Sequence, residues 1–543
     1  MARVFGTLLA FVMAGSIGYF LVALLWRQSP RDFADRLMRL AAAFGLGAGL
    51  VAALDFLWLV VLGRASRGIV LMDLVVLIIV SLAYRLVRKS PAAPTAPSRA
   101  PGWTAGGLFL FFTAIALGII VTVMLRAPDG AWDAIAIWNV HAKFLDAPSA
   151  NGWKAMFDPI MELSHPDYPL LLPAFIACGW IYAGQSIPLV PMTLAFTFTL
   201  AFLVLIMAAV SGARGAMLGA LSCTVLASSP IFLGTALSQY ADMPLAFFFL
   251  LAVALLHRAD QEPEPRAGLH VLAGLAASMA AFTKNEGSLF LVALVAGRLL
   301  HLLLTGKPWR ELRSLGWLLA GMAPMLGVLL LYKSFTPANY LMSGQGKDFW
   351  KKLLSRPRAQ AIITQLLDEL ERPHSFSVGF LQRTRTWHWH FLAAALFVLS
   401  FGLDRRRFGR RLSKWGLPLV VLGVLADILA TRWVTGAYGW HWPVAIAAAL
   451  LLVGLGFDLR RLRHPAFLAA TTTFVLVNAG YFAVYLLTPL DLRWQLLFSI
   501  ERLVFHTMPL AIFLAFLTLA PWGREPVAVA AKAQASAATP SRP

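Results

Sequence analysis

Carboxylates, imidazoles and an ammonium group gather in one short stretch of a chain that is otherwise apolar. Asp129, Asp133, His141 and Lys143 fall within Asp129-Gly-Ala-Trp-Asp-Ala-Ile-Ala-Ile-Trp-Asn-Val-His-Ala-Lys143, and His165-Pro-Asp-Tyr-Pro169 follows. Asp129 and Asp133 are four apart, so a helix over 132–145 extended back by one turn would set both carboxylates on one face, although Pro128 and Gly130 oppose that extension. Asp133 is flanked by Trp132 and followed by Trp138 at near-helical spacing, which suits a helix lying where membrane meets water. A carboxylate held there is partly desolvated. It can act as general base toward an acceptor hydroxyl or stabilise developing positive charge, whereas in a plain loop it would only solvate the chain. Lys143 is a natural partner for a lipid-linked phosphate or a snorkelling interfacial lysine, and His141 shares its helical segment. His165 and Asp167, two apart, could share a metal or orient one another, while the two prolines alone explain a sharp re-entry.

Three later stretches carry similar chemistry. Tyr240-Ala-Asp-Met-Pro244 sets Asp242 at the start of an apolar run, either as a helix cap or as a second acid opposite Asp133. Thr283-Lys-Asn-Glu-Gly287 interrupts two apolar runs, and charge at that depth is costly unless Lys284 and Glu286 pair or bind a ligand. Arg493, Glu501 and Arg502 precede the last apolar run, where Arg502 can meet a phosphate or mark the interface. Phosphate-cradling Gly-Lys-Ser/Thr loops, His-Glu-x-x-His helices and serine nucleophile elbows are absent from the sequence, which counts against ATP-driven transport and against serine or zinc hydrolysis.

The elements that must position these residues are membrane helices. Over 543 residues the chain is 59% hydrophobic and 13% charged, with a mean hydropathy of +0.72. Apolar runs long enough to span recur, giving an all-α polytopic bundle of about 14–16 spans. The net charge of +20 sits mostly in short segments between runs, as the positive-inside rule requires, so nucleic acid is not an expected partner. Cys178 and Cys223 both lie in apolar runs and support neither a disulfide framework nor a cysteine metal site.

The Pro/Ala/Ser linker over 90–101, with Arg85, Arg88, Lys89 and Arg99 in or near it, and the clusters at 404–411 and 460–463 read as cytoplasmic. Alternation then delivers 129–143, 240–244, 283–287, 334–386, 432–441 and 488–502 to the outer face. Parity requires that one run between Asp133 and Asp242 does not cross, and 168–184, broken by Pro169, Pro173 and Gly179, is the best candidate.

This pattern resembles the GT-C superfamily of polytopic membrane glycosyltransferases, especially bacterial relatives of protein O-mannosyltransferases and of the lipid A aminoarabinose transferase. Asp133, His165-Pro166, Tyr240-Ala-Asp-Met-Pro-Leu245 and the stretch from Gly274 to Gly287 carry the likeness, over roughly 105–310. The resemblance implies juxtamembrane helices in the first large outer loop and transfer, with inversion, of a sugar from a polyprenyl-phosphate donor to an envelope glycan, lipid or protein. By position it makes Asp133 the catalytic carboxylate and Asp242 a supporting acid. Lys143, Lys284 and Arg502 become candidates for the donor phosphate. Asp129, His141, His165, Asp167 and Glu286 complete the expected substrate-binding set, and a divalent metal, if used, would take Asp133, Asp242 and His165. Adjacent acids found in several members are here Trp132-Asp133-Ala134, and Asp167 replaces a second proline after His165-Pro166.

The expectation is therefore an enzyme of the bacterial inner membrane with its site facing the periplasm, in contact with membrane lipids. It divides into a three-span segment with a linker (1–104), a catalytic core (105–333), an outer loop with surface helices (334–386), a C-terminal membrane region (387–523) and a disordered tail (524–543). The rival readings are a transporter or flippase, which would need matched broken helices in two repeats, and a non-catalytic assembly subunit, which would not need Asp133.

Overall fold

A computed structural model describes residues 1–87, 103–262, 266–306, 308–337, 348–371 and 458–519. All regular structure among them is helical. Three long helices open the chain, α1 (Ala2–Leu25), α2 (Phe33–Leu62) and α3 (Gly68–Val87), followed by α4 (Trp103–Arg126). A π-helical turn, Ala134–Asn139, runs into the short α5 (Val140–Leu145), and two 3-10 segments lead to α6 (Leu171–Ala183). Then come α7 (Leu189–Arg214), α8 (Ala216–Ala227), α9 (Pro230–Ser238), α10 (Asp242–Asp260), α11 (Ala267–Thr283), α12 (Asn285–Thr305) and α13 (Pro308–Lys333). Two shorter helices, α14 (Phe349–Leu353) and α15 (Arg356–Glu371), precede α16 (Pro465–Leu487) and α17 (Leu492–Leu517).

Ten of these are long and apolar enough to cross a membrane, or eleven if α8 and α9, bent by 65°, count as one span. The chain is thus a multi-pass integral membrane protein. The expected spans at 387–403, 415–430 and 440–457 lie outside the described residues.

The helix at the centre is α10. It is wholly buried across its apolar window, and it packs against α7, α11 and α17. Its Phe247-Phe248-Phe249 run interlocks with Phe198 and Phe202 of α7 edge-on and stacks Phe249 on Phe290 of α12 at 3.9 Å.

Each end of the bundle has its own polar network. At one end Arg258 of α10 binds Asp35 of α2 through two nitrogens, at 2.9 and 3.0 Å, and Glu262 at 2.5 Å. At that same end Arg298 of α12 bridges Asp260 and Glu311, and Arg214 of α7 reaches Asp458 and the Leu517 carbonyl. The opposite end holds the starts of α1, α3, α10 and α12 and the finishes of α2, α4, α11, α13 and α16. It is there that the chemically suggestive residues collect.

α6 does not cross the bundle. Its 13 residues span about 20 Å, against about 30 Å of hydrocarbon. Before it, the Tyr332 hydroxyl of α13 donates to the Pro166 carbonyl at 2.6 Å. After it, Ala183 lies against Gly6 of α1 and Ser186 donates to Asp146 at 3.1 Å, so both of its ends sit at one end of the bundle.

The final helix departs from its expected limits. The sequence reading places a loop over 488–502 and a span over 505–521, but α17 begins at Leu492, with Asp491 accepting from the Trp494 amide at 2.8 Å as its cap. Gln495, Glu501 and Arg502 lower the average hydropathy of these turns without breaking the helix. As a result Arg502 lies well inside α17 and faces the bundle.

Candidate active site

The site is assembled around Asp242. As the first residue of α10 it is fully buried, and a bare carboxylate there would be prohibitively costly. Four donors compensate it. Arg502 supplies Nε to Oδ1 at 3.2 Å and Nη2 to Oδ2 at 2.8 Å, the fork geometry that only arginine offers. Lys284 Nζ donates to Oδ1 at 3.1 Å, and His506 Nε2 approaches the same oxygen at 2.5 Å. The Tyr481 hydroxyl of α16 lies 3.2 Å from His506 Nδ1. With Tyr481 donating to Nδ1, the neutral imidazole keeps its proton on Nε2 and donates it to Asp242, so every polar atom in this chain of contacts is matched.

Asp133 stands at the rim. Its residue follows Gly130, whose φ of +77° turns the chain sharply out of α4, and the Ala131 amide is fixed by the Ser238 carbonyl at 3.1 Å. The helical backbone then runs from Trp132 through the π turn to Leu145. A π turn aims side chains differently from a regular helix and is common at functional sites. Arg502 Nη1 donates to Asp133 Oδ2 at 2.6 Å, and the Arg502 guanidinium lies 5.0 Å above the Tyr240 ring. The Asp133 side chain retains 16% of its exposure and Arg502 26%, against 1% for Asp242. Asp133 is therefore the more accessible of the two carboxylates, and Asp242 lies beneath it.

Lys284 interrupts α11 and α12 in an extended conformation (φ −153°, ψ 159°), and it pairs with Glu286 Oε1 at 3.0 Å as well as with Asp242. Behind it, Asn285 donates to Asp167 at 2.8 Å, and Lys333 Nζ donates to Asn285 Oδ1 at 2.7 Å and to the Asp167 carbonyl at 2.5 Å. This latch ties the end of α13 to the turn before α6. Within that turn His165 has a positive φ of 52° and stacks on Tyr168 at 4.8 Å, which in turn stacks on Trp138 at 5.6 Å. Burial pulls the His165 imidazole below its ordinary range, with Asp167 and Asp133 opposing that shift.

Of the residues expected from sequence, Asp133, Asp242, Lys284, Glu286 and Arg502 meet in one network, with His165 and Asp167 beside it. Three do not join it. Asp129 is exposed, because Gly130 breaks the helix that would have aligned it with Asp133. Lys143 is exposed on α5. His141 is buried, its Nε2 facing Ser164 Oγ at 3.3 Å, and it serves the packing of the loop. Where a metal between Asp133 and Asp242 would sit, the Arg502 guanidinium already bridges the two carboxylates, and Asp133, Asp242 and His165 do not converge as a ligand set. The group of metal-ligand side chains that does converge among the described residues is Asp260, His301 and Glu311, at the other end of the bundle. Sequence reading missed His506, Tyr481 and Lys333. His506 had a signal, since it stands four residues after Arg502 and so on the same helical face.

Residues 184–332 match the family model described as dolichyl-phosphate-mannose-protein mannosyltransferase. The matched stretch includes Asp242, Lys284 and Glu286, whereas Asp133 and Arg502 come to the site from outside it. No curated protein and no solved structure gives a match. A buried acid that fixes two cations beneath a more open carboxylate suits transfer from a phosphate-linked donor, and residues 184–332 are similar to this family of membrane glycosyltransferases, which move a sugar from a lipid-phosphate donor to an acceptor.

Proposed function

We propose that Asp133 is the general base of an inverting mannosyl transfer from polyprenyl-phosphate mannose, with Arg502 as the cation that meets the donor phosphate. The carrying observation is the 2.6 Å contact between Arg502 Nη1 and Asp133 Oδ2, made while the rest of the guanidinium is held by Asp242. Among the described residues Asp133 Oδ1 is left for an acceptor hydroxyl, and the hydroxyl loses its proton to that oxygen as it attacks the sugar C1. The C1–O bond to phosphate breaks on the opposite face, and the electron pair leaves on polyprenyl phosphate. Phosphate is already a good leaving group, so the protein needs to position the reactants and offset charge rather than form a covalent intermediate. Lys284, 3% exposed and shared between Asp242 and Glu286, supports this charge from below.

The end of the bundle that holds the site faces the periplasm of a bacterial inner membrane, and the acceptor is an envelope glycan, lipid or protein. The orientation is supported by Arg27, Arg31, Arg36, Arg39 and Arg214 all belonging to the opposite end. The test is turnover of purified protein in lipid nanodiscs supplied with polyprenyl-phosphate mannose, comparing wild type with Asp133→Asn for released polyprenyl phosphate. Equal release by the two proteins removes Asp133 from the base role.

A further inference from the structure

Glu286 is an odd member of a site that receives a phosphate, because a carboxylate repels that group. Its Oε1 is bound by Lys284 Nζ at 3.0 Å. Among the described residues its Oε2 is enclosed without a hydrogen-bond partner, while the side chain as a whole keeps 22% of its exposure and the residue's own backbone amide lies beside the carboxylate. A buried carboxylate oxygen left unbonded is destabilising, so the position of Glu286 needs a reason. The position is fixed from several sides: the extended Lys284 sets the start of α12, Gly287 packs directly on the Ala280 carbonyl of α11, and Lys333 holds Asn285.

We propose that Glu286 reads the donor sugar by accepting a hydrogen bond from one of its hydroxyls on Oε2, and so sets which epimer is transferred. This rests on the reading of the site as a lipid-phosphate mannosyltransferase and assigns a specificity role within it. A neutral polyol supplies the donor that Oε2 lacks and carries no charge for Glu286 to repel. Lys284 orients the carboxylate through the 3.0 Å contact with Oε1, so a hydrogen bond accepted on Oε2 is directional. A site that has placed such a group discriminates strongly against an isomer whose hydroxyl points elsewhere, since the acceptor is then buried unpaired.

The experiment compares polyprenyl-phosphate mannose with the C2 and C4 epimeric donors on wild type, Glu286→Gln and Glu286→Asp in nanodiscs, with sugar-free polyprenyl phosphate as inhibitor. Glu286→Gln is expected to lower kcat/KM for the preferred epimer by about 10- to 100-fold and to shrink the ratio between epimers. Inhibition by polyprenyl phosphate is expected not to weaken. If Glu286→Gln does not yield folded protein, Glu286→Asp, which keeps the charge and withdraws it by one methylene, is expected to give the same loss of discrimination. Unchanged epimer ratios in a folded, active variant overturn the specificity role while leaving the transferase reading intact. So does weakened polyprenyl phosphate inhibition, which would put Glu286 on the phosphate side. No turnover of any donor by wild type overturns both.

Discussion

Asp133 and Arg502 are separated by 369 positions and meet at 2.6 Å. Arg502 does not reach Asp133 freely. Two of its other nitrogens are committed to Asp242, so the buried acid sets the guanidinium and the guanidinium sets the open acid. The position of Asp133 is thus tied to that of Asp242 through one guanidinium, and the two carboxylates, alike in charge, differ in burial.

Asp133→Asn is expected to reduce turnover by about 10²- to 10⁴-fold, the usual contribution of a general base. The amide keeps an oxygen for Arg502, so thermal unfolding in detergent should match wild type. A variant that retains more than a tenth of wild-type polyprenyl phosphate release would contradict the assignment.

Asp242→Asn should behave in the opposite way, as a loss of structure before a loss of chemistry. Removing the negative charge leaves the Lys284 and Arg502 cations without their shared counter-ion in an enclosed site, and breaking a buried network of this kind costs about 3–5 kcal/mol. Lower folded yield and a lower unfolding midpoint in size-exclusion and thermal assays would show it. Arg502→Lys is the informative companion, because lysine keeps the charge but cannot fork between Oδ1 and Oδ2 of Asp242 while reaching Asp133. Near-wild-type activity of Arg502→Lys would mean that charge alone suffices.

What the sequence made legible follows from physics. Apolar runs of span length must be helices in lipid, so the all-helical bundle could be read from the runs, and Asp133, Asp242, Lys284 and Arg502 stood out as charges that need partners. The failure of α6 to cross was legible through parity. Pairing was not. Nothing local to Arg502 says that its partners are Asp242 and Asp133, and Tyr481 gives no sign that it orients His506. Asp129 shows the limit of spacing arguments, since four residues imply one face only if the backbone stays helical, and Gly130 at φ +77° leaves the helix. The start of α17 was obscured because its polar face is turned toward the site and lowers the hydropathy of its first turns.

His141 gives a pH prediction outside the membrane spans. Burial pulls its pKa down to about 4, with the charge of His165 adding to the effect. The Ser164 hydroxyl donates to the Met161 carbonyl at 2.7 Å, so His141 Nε2–H donates to Ser164, and among the described residues Nδ1 is buried without a partner. A second proton would have nowhere to bond. With the folded value below the ordinary 6.5, the unfolded chain binds more protons between those limits. Stability from this group is complete above about pH 6.5 and is lost as pH falls toward 4, by about 3 kcal/mol in all. His165 shifts in the same direction. Unfolding midpoints in detergent should therefore climb from pH 4.5 to 7, and His141→Gln, which keeps a donor for Ser164 but does not titrate, should flatten the climb. An equally steep climb in that variant would assign the effect elsewhere.

Gly287 offers a test of whether the break between α11 and α12 is needed for chemistry or only for packing. A Cβ placed there would overlap the carbonyl oxygen and carbon of Ala280. These are backbone atoms, so the two helices must separate to accept it. Separation moves the first turn of α12, which carries Glu286, relative to Thr283 at the end of α11, and Lys284 between them is drawn from Asp242. Gly287→Ala should therefore lower activity by at least tenfold while the helical content and the unfolding midpoint change less than in Asp242→Asn. Gly287→Val, with two further methyl groups on the same contact, should lower both. Measured by donor turnover and circular dichroism on the same samples, a Gly287→Ala protein with full activity would show that the site tolerates movement of this turn, and would weaken every role that depends on the positions of Lys284 and Glu286.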